Sequence, residues 1–179
     1  MNKDIEEIVL SEKQISSLCD EIAGRINEDY KGSTPVLVCI LKGSVVFYAD
    51  LIRRLQCDCR LDFMAASSYG SGTASSGKVK ITKELTTDIT GRDVLLVEDI
   101  LDTGNTLSYI KEYLCSFSPA SVRICTLFDK PSRRLKDIEA DYKGKTIDDV
   151  FIVGYGLDYN EKYRNLPYVG ILKPEVYTK

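Results

Sequence analysis

Apolar positions in this chain recur with two rhythms, one of helical period and one of short β-branched runs. Ser11 stands three residues before Gln14, a capping-box spacing, and Ile15, Leu18, Ile22, Ala23 and Ile26 follow at helical intervals, predicting a helix over 11–29. The run VLVCIL at 36–41 is apolar throughout, as a strand buried on both faces must be, and it stops at Lys42-Gly43-Ser44. Val45, Ala49, Ile52 and Leu55 predict a second helix. Residues 59–66 alternate as a strand, with Cys59, Leu61, Phe63 and Ala65 on one side and Arg60 and Asp62 on the other. From Ser67 to Lys78 five serines and three glycines supply too little apolar mass to fix a conformation, which predicts a mobile loop near 67–80. Val79 and Ile81 alternate with lysines beyond it, as at the base of a two-stranded ribbon. DVLLVEDILDTGNTL then reads as strand, glycine turn and helix, the helix carrying Leu107, Ile110, Leu114 and Phe117. SVRICTLFDK and DDVFIVGYGLDY predict two more strands. Strands alternating with helices predict an α/β fold, a mostly parallel central sheet with helices on both faces. A length of 179 residues suits one domain.

Ligands of such sheets bind beyond the carboxyl ends of the strands. Lys42-Gly43 follows the first apolar strand, Glu98-Asp99 with Asp102-Thr103-Gly104 the second, Asp129-Lys130 the third, and Asp158 lies past the fourth. In the central cluster a glycine turn opening a helix presents backbone N–H groups to a phosphate, with Thr103, Asn105 and Thr106 as further donors. Glu98 and Asp99 would repel that phosphate, so they need either sugar hydroxyls or a divalent cation. Phosphate plus ribose satisfies both demands.

Charge and composition narrow the chemistry. A net charge of −3 opposes a protein that coats nucleic acid or an anionic membrane. With no histidine, proton transfer falls to Asp, Glu, Lys, Tyr or Cys. The six cysteines include no CxxC pair, and Cys39 and Cys125 sit in apolar runs, as reduced thiols of a cytoplasmic protein would. MNKDIEEIVL has no cationic segment followed by a long apolar one, so neither secretion nor membrane insertion is expected. GTASSGKV at 72–79 copies most of a Walker A spacing but lacks the hydroxyl residue after its lysine, and no full GxGxxG exists.

VLLVEDILDTGNTL resembles the phosphoribosyl-diphosphate motif of type I phosphoribosyltransferases, and LKGSVVFYADL, SSYG, LFDKPSRR and VFIVGYGLDYNEKYRNLPYVGIL occur in the order found in the hypoxanthine and hypoxanthine-guanine members. The resemblance implies transfer of a 5-phosphoribosyl group from phosphoribosyl diphosphate to N9 of hypoxanthine or guanine, giving IMP or GMP and pyrophosphate, with Mg2+ as cofactor. It places Lys42, Gly43 and Arg164 on pyrophosphate, with a cis peptide between Leu41 and Lys42. Glu98 and Asp99 fall on the ribose hydroxyls or the metal, and Thr103, Gly104, Asn105 and Thr106 on the 5-phosphate. It makes Asp102 a general base at the purine N7 edge; an N-cap is the other reading of that residue. Lys130 would donate to the 6-oxo group, Phe151 would stack on the base beside Ile152, and Asp158 would add a contact to base and metal. Ser68 and Tyr69 fall in the catalytic loop. The resemblance also implies a homodimer or homotetramer, and a hood over the base for which the amino-terminal helix and YVGIL are candidates. Asn105 stands where some relatives carry a basic residue. A xanthine or pyrimidine phosphoribosyltransferase differs at the base pocket, and a nonenzymatic nucleic-acid-binding regulator would need the basic face that this composition opposes.

Overall fold

A capping box starts the first helix of the computed structural model, which describes residues 2–68 and 79–178. The amide of Gln14 donates to Ser11 Oγ at 3.4 Å and the amide of Ser11 to Gln14 Oε1 at 2.9 Å, satisfying two donors that the helix cannot pair internally. In chain order the elements are β1 (Ile5–Leu10), α1 (Glu12–Asp29), β2 (Val36–Leu41), α2 (Val45–Ile52), β3 (Arg60–Ser68), β4 (Val79–Lys83) and β5 (Asp93–Leu101). There follow α3 (Asn105–Cys115), β6 (Ser121–Asp129), a 3-10 turn (Pro131–Arg133), β7 (Tyr142–Thr146), β8 (Ile152–Val153), β9 (Val169–Leu172) and α4 (Pro174–Tyr177).

Six strands form the main sheet in the order β4-β3-β2-β5-β6-β7, all parallel except β4, which returns antiparallel along β3. The unbroken apolar run of β2 serves two cores. Leu37 and Cys39 join Leu95, Val97, Cys125 and Leu127 under α1 and α2, whereas Val36, Val38 and Ile40 join Val94, Leu96 and Ile124 under α3. Each Val or Leu fully buried in this way contributes roughly 1.5–3 kcal/mol relative to an exposed position. This is the expected mostly parallel sheet with a helix layer on each face.

A second, antiparallel sheet, β1-β9-β8, joins the two ends of the chain around Ile5, Val153 and Leu172. Its first strand has no clear signature, because irregularities between Ile5 and Glu7 and between Ile8 and Leu10 break the alternation of IEEIVL. The amino-terminal helix does not make this lobe's sheet: α1 packs against β7 and α2, although its inner face shares a core with Tyr155, Leu157 and Val169. DDVFIVGYGLDY contributes only Ile152–Val153 as a strand, and that strand pairs with β9 rather than entering the parallel sheet. The fourth parallel neighbour is β7, YKGKT, an edge strand too polar to be foreseen.

The faces of β3 also depart from expectation. Leu61 is 45% exposed while Asp62 is 3% exposed. Asp62 is paid for by hydrogen bonds: its carboxylate accepts from the amides of Phe63 (2.7 Å), Thr86 (2.8 Å) and Thr87 (2.7 Å). Those donors outweigh burial and lower its pKa to about 2. The six cysteines are all free thiols. No helix of the described residues is long and apolar enough to cross a membrane.

Candidate active site

The two acids of β5 do not end the strand. Pairing with β6 continues through Glu98 opposite Thr126 and Leu101 opposite Asp129, which draws the carboxylates into the protein. Asp99 is buried, and Glu98 Oε2 is buried with no hydrogen-bond partner among the described residues. Burial raises both pKa values, and repulsion from Asp99 adds to the effect at Glu98. The loop after β2 closes over them: a β-carbon at Gly43 would overlap Asp99 Oδ2. Ser44 is fully buried beneath, its hydroxyl donating to the carbonyl of Ile40 and lying 3.4 Å from Cys39 Sγ. A buried, repelling pair of oxygen donors with one oxygen orphaned is the arrangement that a hard divalent cation would stabilise. Among the described residues no third acidic or cysteine side chain completes a protein-only cage.

Three residues further on, the chain turns into α3. Gly104 is the N-cap with φ +84°, a conformation that favours glycine, and a β-carbon there would lie 2.7 Å from Ile138 Cγ2. This corrects the N-cap reading of Asp102. Thr103, Asn105 and Thr106 surround the start of an 11-residue helix whose first-turn amides face outward. Among the described residues the amide of Asn105 reaches only Thr103 Oγ1, at 3.4 Å.

Asp102 and Lys130 share one rim. The Lys130 amide donates to the carbonyl of Leu101 at 2.9 Å, fixing the end of β6 beside that of β5. Lys130 Nζ donates to the carbonyl of Val150 at 2.5 Å and lies 4.0 Å from Asp149. Burial lowers its pKa, against the pull of Asp102 and Asp149. Arg133 spans both acids, with Nε 3.1 Å from Asp102 Oδ1 and Nη1 3.4 Å from Asp149 Oδ1. The Asp102 contact is off the N–H axis, so among the described residues Oδ1 accepts no hydrogen bond. Phe151, beside the Val150 carbonyl, is 37% exposed, whereas Ile152 is buried.

The remaining residues gather at the mouth of the loop after β2. The Leu41–Lys42 peptide is cis. Lys42, its side chain 70% exposed, pairs with Glu161 at 3.2 Å. Arg164 Nη2 lies 2.8 Å from Asp158 Oδ1 and 3.4 Å from Glu161 Oε1, while Nη1 donates to the carbonyl of Gly156 at 2.8 Å. Arg164 and Asp158 both act on the charge of Asp99, the first lowering and the second raising its pKa. Lys42, Gly43, Asp99, Asp158 and Arg164 are thus one cluster, beside the Asp102–Lys130 rim. Ser68 ends β3 opposite Val79; Tyr69, and with it most of the expected mobile loop, lies outside the described residues. Sequence reasoning missed Glu161 and Arg133, the counter-ions of the cluster and the rim. The charge pattern Glu161–Arg164 was the one local signal of the first.

The family model for the phosphoribosyl transferase domain matches residues 7–160. The chain is 55% identical over 179 residues to a hypoxanthine-guanine phosphoribosyltransferase of Staphylococcus epidermidis, covering 100% of each chain. It is 51% identical to one of Streptococcus thermophilus, covering 100% of this chain and 99% of the other. A crystal structure of a hypoxanthine phosphoribosyltransferase from Staphylococcus aureus superposes with a TM-score of 0.95 at 52% identity, over 98% of this chain and 96% of that one. Buried acids before a glycine-capped helix, with a lysine directly after the next strand, therefore occur here in a chain that belongs to the phosphoribosyltransferase family, among its hypoxanthine-guanine members.

Proposed function

We propose that the rim carries out transfer of the 5-phosphoribosyl group from phosphoribosyl diphosphate to N9 of hypoxanthine or guanine. The observation that carries this reading is the juxtaposition of the buried acid pair of β5, with Glu98 Oε2 unpartnered among the described residues, the amino end of α3 and the Lys130 ammonium. The first-turn amides of α3, with Thr103, Asn105 and Thr106, hold the 5-phosphate. Glu98 and Asp99 take the ribose diol and would hold a magnesium ion, which would supply positive charge to offset that of the pyrophosphate. Lys42, the backbone at Gly43 and Arg164 hold the pyrophosphate itself, and Asp158 orients Arg164. In the transfer the C1′–O bond to pyrophosphate breaks and the N9–C1′ bond forms, and the proton shed by the base at N7 passes to Asp102. Asp102 is suited to this because its Oδ1, though ion-paired with Arg133, accepts no hydrogen bond among the described residues.

Base selection follows from Lys130. One ammonium proton is committed to the Val150 carbonyl, which leaves the others for an acceptor on the base. A 6-oxo group accepts; the 6-amino group of adenine does not, and would leave the remaining protons of the buried ammonium without an acceptor on the base. Phe151 supplies a stacking face and Ile152 backbone contacts. The test is formation of nucleotide and pyrophosphate from phosphoribosyl diphosphate, magnesium and a panel of bases. Turnover of hypoxanthine and guanine with adenine and uracil inert is expected. Equal turnover of adenine, or none with any base, overturns the reading.

A further inference from the structure

The exposed face of Phe151 has a counterpart behind it. The ring of Tyr177 stacks on Phe151 with centroids 4.9 Å apart and planes at 22°. Tyr159 meets both rings edge-on, 5.6 Å from Phe151 and 6.4 Å from Tyr177. Tyr177 ends α4, the last element of the chain, and with Val176 it packs against the lobe core of Ile5, Val153 and Leu172. The Phe151 backbone is held independently, because its carbonyl accepts from the Leu172 amide at 2.8 Å. The ring plane is therefore the part of Phe151 that neighbouring side chains set.

An aromatic ring has two faces, and a planar base needs one. With one face of Phe151 covered by Tyr177 and its edge flanked by Tyr159, the other face is the one available beside Lys130, whose ammonium binds the carbonyl of the preceding residue. We propose that Tyr177 is a positioning residue for the purine: it backs Phe151 so that the phenyl ring is fixed, at the stacking plane, before the base arrives. This rests on Phe151 being the base platform, as proposed above. The phenol hydroxyl is not part of the stack, so the ring alone should suffice.

The experiment is steady-state kinetics of Tyr177→Ala, Tyr177→Phe and Phe151→Leu, varying the purine and phosphoribosyl diphosphate separately. Loss of one offset-stacked pair raises the purine KM of Tyr177→Ala about threefold to tenfold. The KM for phosphoribosyl diphosphate stays as in the parent and kcat changes by less than about twofold, since the reacting atoms lie elsewhere. Tyr177→Phe restores the parent purine KM. An unchanged purine KM in Tyr177→Ala overturns the proposal. So does a lowered one, which would put Tyr177 on the face that the base uses, and so does an equal rise in both KM values, which would mean general damage to the lobe. Phe151→Leu separates the two levels: if it leaves the purine KM unchanged, Phe151 is not the platform and the underlying reading fails, whatever Tyr177 does.

Discussion

The amino end of α3 and the mouth of the loop after β2 both present charged groups to the same rim, but they hold those groups differently. At β5 and α3 the groups belong to the sheet itself. Glu98 and Asp99 are seated in a paired strand and the helix start is set by Gly104, so the groups are fixed, and among the described residues Glu98 Oε2 is left without a hydrogen-bond partner. At the loop the charges satisfy one another: Lys42 with Glu161, and Arg164 with Asp158 and Glu161. The first region stores its cost in the fold and is ready for ligand. The second is satisfied without ligand, and in the proposed function a substrate anion must replace a carboxylate. Substitutions in the first should therefore remove turnover, and those in the second should shift binding.

The sharpest way to break this contrast is at the acid pair. Glu98→Gln with Asp99→Asn should lower kcat/KM by about a hundredfold to a thousandfold, the range for loss of fixed electrostatic groups at a reacting centre. The same variant should melt at a higher temperature than the parent at pH 8. Both carboxyls have raised folded-state pKa values, so their ionised forms oppose folding, increasingly as pH rises through that range. A variant that is less active and also less stable would show the acids to be structural. Next in size is Asp102→Asn, which keeps the volume and removes the proton acceptor proposed above. It should lower kcat by about a hundredfold, the lower end for general acid–base catalysis, with little change in KM for phosphoribosyl diphosphate. A fall confined to KM would return Asp102 to the binding groups.

Asp62 sharpens the comparison from the other side, as a buried acid that is fully satisfied. Its folded pKa of about 2 lies below the ordinary 3.8, so it stabilises the fold at all pH values above about 4, and that contribution is lost as pH falls toward 2. Asp62→Asn should cost about 2 kcal/mol at pH 7, from the difference between those two values. Chemical denaturation at pH 7 and pH 2.5 checks it: the gap between parent and variant should shrink in acid. A gap independent of pH would mean that shape, not charge, holds the turn at Thr86 and Thr87.

The two regions also differ in how far the sequence reveals them. VEDILDTGNT lies on one continuous stretch, so the spacing of acids, glycine and hydroxyls already specifies a strand, a turn and a helix start, and the apolar runs of β2, β5 and β6 specify a parallel sheet. The pairing of Lys42 with Glu161 joins residues 119 positions apart, and no local pattern encodes it. The lobe is hidden for a similar reason. β1 is irregular, β8 is two residues long, and β9, which pairs with both, lies at the opposite end of the chain from β1. A local reading places Asp62 only on the side of Arg60, because two of the three amides that satisfy it, those of Thr86 and Thr87, arrive from 24 and 25 residues further along the chain. Burial of the acids of β5 was equally invisible: it depends on β6 continuing alongside, not on the residues themselves.

The smallest effect tests the loop. Glu161 is an exposed carboxylate whose pKa is lowered chiefly by its hydrogen bond to Lys42. An exposed pair of this kind adds little to folding, because solvent screens it and two long side chains must be ordered to form it. Glu161→Gln should therefore leave the melting temperature unchanged. It should nevertheless release Lys42 and one contact of Arg164 for the anion, lowering the KM for phosphoribosyl diphosphate by about twofold and strengthening product inhibition by pyrophosphate to a similar degree, as expected for one screened charge. Both changes should fade at high salt. An increase in KM would show that Glu161 holds Lys42 in the position that binds pyrophosphate, and the loop would then be preorganised like the end of α3 rather than self-satisfied.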